Sequence, residues 1–126
     1  MVPVHPRYRA KLVTDAVEVV RLFWERQNNG QYDQLVDLFS DDAVLEDPIF
    51  GRFVGANAIL GFMQKMVKEM KDVETRFEVV QIGGGENAAW AQWHAISPKG
   101  IRQGVGIYKV EAGKLTYYRD YMDSST

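Results

Sequence analysis

The chain has no cysteine, which excludes a thiol nucleophile, a zinc ribbon, a disulfide framework and a redox pair together. That composition fits a reducing, cytoplasmic compartment. Histidine is nearly as scarce. His5 and His94 are the only two, too few for a multi-histidine metal site within one chain, so neither a metal nor a cofactor is expected. No apolar run approaches the ~18 residues that cross a bilayer. The opening stretch MVPVHPRYRAK carries charges without an apolar centre, so neither membrane nor secretory signal is expected. An excess of one charge is missing too: 15 basic against 17 acidic residues leave a net charge of −2. Without a broad basic field, nucleic acid is not an expected partner. Four prolines and 11 glycines are too few for a collagen-like or low-complexity chain.

What is present is a globular composition, 46% hydrophobic and 25% charged over 126 residues, below the ~150 residues of an average domain. A chain of this mass buries about two-thirds of its unfolded surface, enough for one core. Residues 1–10 read as an N-terminal tail and 11–126 as a single domain. From Leu12 through Trp24 apolar residues recur at helical spacing, with Asp15 and Glu18 placed like a capping box and Asn28-Asn29-Gly30 as the stop. A short helix is predicted over Tyr32–Phe39, a turn at Ser40-Asp41-Asp42, and a strand over Ala43–Glu46 ended by Pro48. Gly51 to Gly55 reads as a connection. A third helix spans Ala56–Lys71, with Ile59, Met63, Met66 and Met70 on one stripe. Four extended runs follow, Val73–Ile82, Ala88–Ser97, Ile101–Val110 and Lys114–Met122, separated by Gly-rich or Pro-containing turns. Helices first and a meander afterwards give an α+β fold with a mostly antiparallel sheet around one concave interior.

Turn chemistry then predicts which side chains share a face. Pro98 cannot take the positive φ that a primed two-residue turn needs, which favours a three-residue loop Pro98-Lys99-Gly100. Glu111-Ala112-Gly113 fits the same type, since a two-residue Ala112-Gly113 loop would force alanine to φ > 0. The resulting register puts Trp90, Gln92 and His94 on one face with Gly104, Gly106 and Tyr108, and with Tyr118, Asp120 and Met122. His94 and Asp120 then flank Gly104, and an imidazolium beside Asp120 would make that carboxyl titrate low. Trp93, Val105, Ile107, Leu115, Tyr117 and Tyr121 form the opposite, apolar face, the expected contact of a homodimer.

Two stretches carry a family resemblance. Ser40-Asp41-Asp42-Ala43-Val44-Leu45-Glu46-Asp47-Pro48, continued by Gly51-Arg52-Phe53-Val54-Gly55, is one; Gly113-Lys114-Leu115 with Tyr118-Arg119-Asp120-Tyr121-Met122-Asp123 is the other. Together they resemble the SnoaL-like branch of the nuclear transport factor 2-like superfamily over residues 12–123. The resemblance implies a cone-shaped, curved sheet wrapped around three N-terminal helices (a cystatin-like α+β barrel), a deep apolar pocket and a homodimer. Against the steroid delta-isomerases, Asp47 occupies the position of the catalytic base, while Phe23 and about Gly106 stand where the oxyanion-hole tyrosine and aspartate would be. Against limonene epoxide hydrolase, Asp120 matches one catalytic aspartate. The strand that should bring an arginine and a second aspartate offers Trp90, Gln92 and His94 instead.

The expectation is a protein that binds a hydrophobic small molecule and performs general acid/base chemistry of the isomerase, cyclase or dehydratase type. Asp47, His94 and Asp120 are the candidate catalytic residues. Phe23, Met63, Met66, Trp90, Gln92, Tyr108, Tyr118 and Met122 are the candidate ligand contacts. Two alternatives stand beside it: a binding protein without chemistry, and a protein-interaction module of the nuclear transport factor type.

Overall fold

The structure, a computed structural model, describes residues 15–123. The expected tail, with Leu12 and Val13 of the first helix, lies outside the described residues. Helix α1 (Ala16–Asn28) starts at Asp15, whose carboxylate accepts from the Val17 N–H at 2.8 Å, a side-chain N-cap. Glu18 does not complete a capping box; it pairs with Arg21 one turn on. Ala16, Val19, Val20, Phe23, Trp24 and Gln27 form the buried stripe of α1, and Gly30 (φ 71°) lets the chain turn away after it. Helix α2 is shorter than expected, Tyr32–Val36, because Phe39 already begins strand β1 (Phe39–Asp47). Ser40-Asp41-Asp42 is therefore not a turn but the irregular start of β1, where the pairing with its neighbour shifts. Gly51–Val54, expected as a connection, is strand β2, and α3 follows over Ala56–Asp72.

Strands β3 (Arg76–Gly84), β4 (Ala88–Ser97), β5 (Gly100–Glu111) and β6 (Lys114–Met122) complete one six-stranded sheet in the order β2-β1-β6-β5-β4-β3. All neighbours are antiparallel except β1 and β6, which run parallel one strand in from the β2 edge. The sheet is curved and does not close: β2 and β3 remain edges, so it wraps its helices without becoming a barrel. Bulges in β1, β3 and β6 bend the strands. Helix α1 lies against β3, β4 and β5, and α3 covers β1 and β2.

Both predicted hairpin registers are corrected. Only Pro98 and Lys99 span the first turn; Gly100 pairs with Ser97 and bears the positive φ (133°) that proline cannot. That slip of one residue turns every β4 side chain to the other face. Trp93 now faces Gly104 and Ala91 faces Gly106, while His94 pairs with Gln103, Gln92 with Val105 and Trp90 with Ile107. In the second turn Ala112 accepts the left-handed conformation (φ 50°) and the loop has two residues. A bulge follows at once, so Tyr118 still shares a face with Tyr108 and Asp120 with Gly106. The strand faces expected for β5 and β6 stand, shifted along by two residues. Trp93 and Leu115, expected on the outer face, are core residues.

Candidate functional site

The parallel pairing of β1 with β6 builds the site. Leu45 lies beside Tyr118 and Glu46 beside Arg119, so Asp47 and Asp120 come next to each other at the ends of adjacent strands. By alternation both follow Leu45 and Tyr118, the buried residues, onto the concave face. Asp47 is half-buried, and its Oδ1 accepts from the N–H groups of Ile49 (2.8 Å) and Phe50 (2.9 Å), capping the β1–β2 turn. Pro48, which cannot donate, sits between the capping residue and the donors.

Asp120 is partly exposed as a residue, but its carboxyl group is almost wholly shielded. The Trp93 indole N–H donates to Oδ1 at 3.1 Å and the Tyr118 hydroxyl to Oδ2 at 2.9 Å. Burial pushes the Asp120 carboxyl up to about 7; the two donors oppose that shift, and the negative charge of Asp47 adds to it. The low-titrating Asp120 expected from a histidine neighbour is thus overturned: among the described residues no imidazole stands beside it, and desolvation dominates. Such a carboxyl can exchange protons near neutrality.

Beneath the carboxyl lies a layer of aromatic rings. Tyr108 and Tyr118 stack at 4.4 Å, and Phe23 meets both, edge-on to Tyr118 at 5.2 Å. The Trp24 indole N–H donates to the Tyr108 hydroxyl at 2.8 Å, so even the deepest hydroxyl is paired. Burial, then the nearby Asp120 charge, raises both tyrosines well above their ordinary range, keeping the phenols protonated donors. Phe23, Met63 and Tyr108 are closed into the core and Tyr118 nearly so. Met122 is half-buried against it.

Open space lies to one side. A groove of about 330 Å³ is lined by Phe50, Phe53, Phe62, Met66, Lys65 and Glu69, between the β1–β2 hairpin and α3. Phe53 and Phe62 stack at 4.3 Å as its wall. Phe50, whose N–H is held by Asp47, links the groove to the carboxylates. Met66 is the one methionine of the expected ligand contacts that lines it.

The structure therefore brings together Asp47, Asp120 and Tyr118, and leaves His94, Trp90 and Gln92 on the convex face. Sequence reasoning missed Trp93 as the partner of Asp120. The available signal was Gly104, the position over which a side chain from β4 reaches Asp120; the miscounted turn assigned that reach to His94.

A family model described as the SnoaL-like domain matches residues 20–118. No curated protein matches by sequence. Among solved structures, a candidate ketosteroid isomerase from Kribbella flavida DSM 17836 superposes with a TM-score of 0.76 at 15% identity, over 93% of this chain and 82% of that one. An LEH-like epoxide hydrolase from M. tuberculosis gives 0.66 at 22%, over 86% and 82%. A candidate polyketide cyclase from Sinorhizobium meliloti gives 0.70 at 19%, over 82% and 94%. At such identities the likeness is one of fold.

Proposed function

The chain belongs to the SnoaL-like domain family, and from that premise we propose that it moves protons on a hydrophobic, carbonyl- or hydroxyl-bearing small molecule. Asp47 and Asp120 are the reacting groups. The observation that carries this reading is the shielded Asp120 carboxyl, held by Trp93 and Tyr118 and adjoining Asp47 across the parallel strand pair. Two neighbouring carboxyls with unequal surroundings divide the labour of proton transfer. Asp47, with one oxygen committed to backbone N–H groups, is the base that takes the substrate proton through the other. Asp120 is the acid that gives a proton back. Tyr118, a protonated phenol, gives its one proton to Asp120 Oδ2 and so helps hold that carboxyl. The aromatic groove beside Phe50 receives the apolar body of the substrate.

The test is turnover of a panel of hydrophobic ketones and hydroxy-ketones, read as isomerised, cyclised or dehydrated product by mass spectrometry. Asp47→Asn and Asp120→Asn should each lower the rate at least ~10²-fold, the usual contribution of a general acid or base. Unchanged rates in both variants overturn the assignment. Saturable binding without product makes the protein a carrier.

A second reading concerns assembly and rests on the convex face. Trp90, Val105, Ile107 and Tyr121 are exposed there by between 38% and 48% of their surface, beside the Arg119–Glu46 pair and the Tyr117 hydroxyl that donates to Glu46. We assign this face to a second copy of the chain, with the patch shifted from the one expected: Trp90 replaces Trp93 and Leu115. A typical half-interface needs ~800 Å², and these residues supply the apolar centre of one. Light scattering at micromolar concentration should give twice the chain mass, and Ile107→Asp should halve it. A monomeric wild-type mass overturns the assignment.

A further inference from the structure

We infer that Trp93 is the positioning residue of the site, admitted by the missing side chain at Gly104, and that it reaches across β5 to fix the Asp120 carboxyl for proton exchange. The inference rests on the proposed role of Asp120. Its geometry does not. Trp93 stands on β4 and Asp120 on β6, two strand spacings across and two residues along, since Trp93 aligns through Gly104 with Met122; the backbones are about 12 Å apart. Gly104 lies directly opposite Trp93 on the strand between them. A Cβ built on Gly104 would fall 2.2 Å from Cζ2 of the indole and 2.6 Å from Cε2, closer than any atoms pack. The ring therefore lies flat over the glycine, and only a glycine leaves that path open. At the far end Nε1 meets Asp120 Oδ1 at 3.1 Å. From the β3 side Phe77 meets the indole edge-on at 5.7 Å and steadies it.

The chemistry of the donor matters. An indole N–H donates and never accepts, so Trp93 cannot exchange a proton with Asp120; it can only orient the group and favour its charged form. Trp93 is 3% exposed, too little for water to take over that bond. The titratable groups facing Asp120 are Asp47 from β1, Tyr118 from its own strand and Tyr108 from β5; Trp93 is the contribution of β4. Burial and Asp47 push the carboxyl toward protonation, while Trp93 and Tyr118 pull it back. Without Trp93 the balance shifts, and Asp120 keeps its proton at neutral pH.

The experiment follows the Trp93 indole N–H and the Asp120 carboxyl carbon by NMR in the full chain from pH 4 to 9. In wild type both signals should move with one midpoint. Trp93→Phe should raise the Asp120 midpoint by about one pH unit, the order set by one lost bond to a charged acceptor. Gly104→Ala should raise it similarly by displacing the indole, and should add nothing in the double variant with Trp93→Phe. An indole signal blind to the Asp120 titration overturns the inference in the wild-type protein alone, whatever the variants' folding. So does an unmoved midpoint in Trp93→Phe, or an additive double variant. Lack of turnover on every substrate overturns the proposed function and leaves this titration standing. A midpoint that does not move, in a protein whose rate still needs Asp47 and Asp120, sinks the positioning role alone.

Discussion

Along the concave face of β4, β5 and β6 run Ala89, Ala91 and Trp93, then Gly104, Gly106 and Tyr108, then Tyr118, Asp120 and Met122. Along the convex face of the same strands run Trp90, Gln92 and His94, then Gln103, Val105 and Ile107, then Tyr117, Arg119 and Tyr121. Both faces are aromatic, yet they behave differently. On the concave side Trp93 lies over Gly104 and Tyr108 over Gly106, Tyr108 stacks on Tyr118, and each ring ends on a polar partner: Trp93 on Asp120, Tyr118 on Asp120, Tyr108 on Trp24. On the convex side Trp90 also lies over a glycine, Gly83 of β3, and Arg119 covers the Tyr121 ring at 4.9 Å, yet the rings stay partly exposed. A glycine beneath a tryptophan is common to both faces; what sets the concave face apart is the shielded carboxyl on which its rings converge.

The sharpest way to break this comparison is to truncate one residue on each side. Phe23→Ala removes the ring that meets Tyr108 and Tyr118 and should cost about 3–5 kcal/mol in urea unfolding. Ile107→Ala, 40% exposed on the other face, should cost under about 1 kcal/mol in the monomer. Next in size is a pH effect confined to the concave face. Asp120 binds its proton more tightly folded (about 7) than unfolded (3.8), so the native state holds the extra proton between those values. Stability should therefore fall as pH rises from about 4 to 7, by up to about 1.4 kcal/mol per unit, and level off above. Asp120→Asn should flatten that slope in denaturation curves across the range. Smaller again, Tyr108→Phe leaves the buried Trp24 N–H without its acceptor and should cost about 1–3 kcal/mol, read by the same unfolding assay. Smallest is Ala112→Gly. It relieves the left-handed alanine in the turn that leads into β6 and should gain about 0.5 kcal/mol without altering the Asp120 titration.

Much of this architecture is legible in the residues. The periodicities of Ala16–Asn28 and Ala56–Asp72 and the four late strands are local signals, and their positions agree with the structure to within a few residues. The motif Glu46-Asp47-Pro48 and the closing Tyr118-Arg119-Asp120 likewise mark the two carboxylates that the parallel strands bring together. What local pattern does not carry is parity. Ser97-Pro98-Lys99-Gly100 supports either a two- or a three-residue turn, and the register observed is the one that puts Trp93 and Ala91 into the core, a tertiary effect. One residue of slip exchanges His94 for Trp93 as the neighbour of Asp120. The second turn shows the converse: a strained alanine and a bulge are tolerated because together they bury Leu115 and Tyr118. The dense ring layer under the carboxylates was equally beyond reach, since volume filling depends on all strands at once.

The parallel seam between β1 and β6 has a consequence for how the molecule comes into being. Its partners, such as Leu45 and Tyr118, are separated by most of the chain, whereas β3 through β6 pair with sequence neighbours. Before residues 115–122 have been synthesised, β2-β1 and β5-β4-β3 are separate sheets with open edges and no common hydrogen bonds. The strand that joins them is the sixth of the described strands in chain order and lies between them. Closing so long a loop is the slow, entropically costly kind of step, and it is the same step that sets Asp47 beside Asp120. Closure of the sheet and the pairing of the two carboxylates are thus one event in time: no folding intermediate that lacks this seam sets Asp47 beside Asp120.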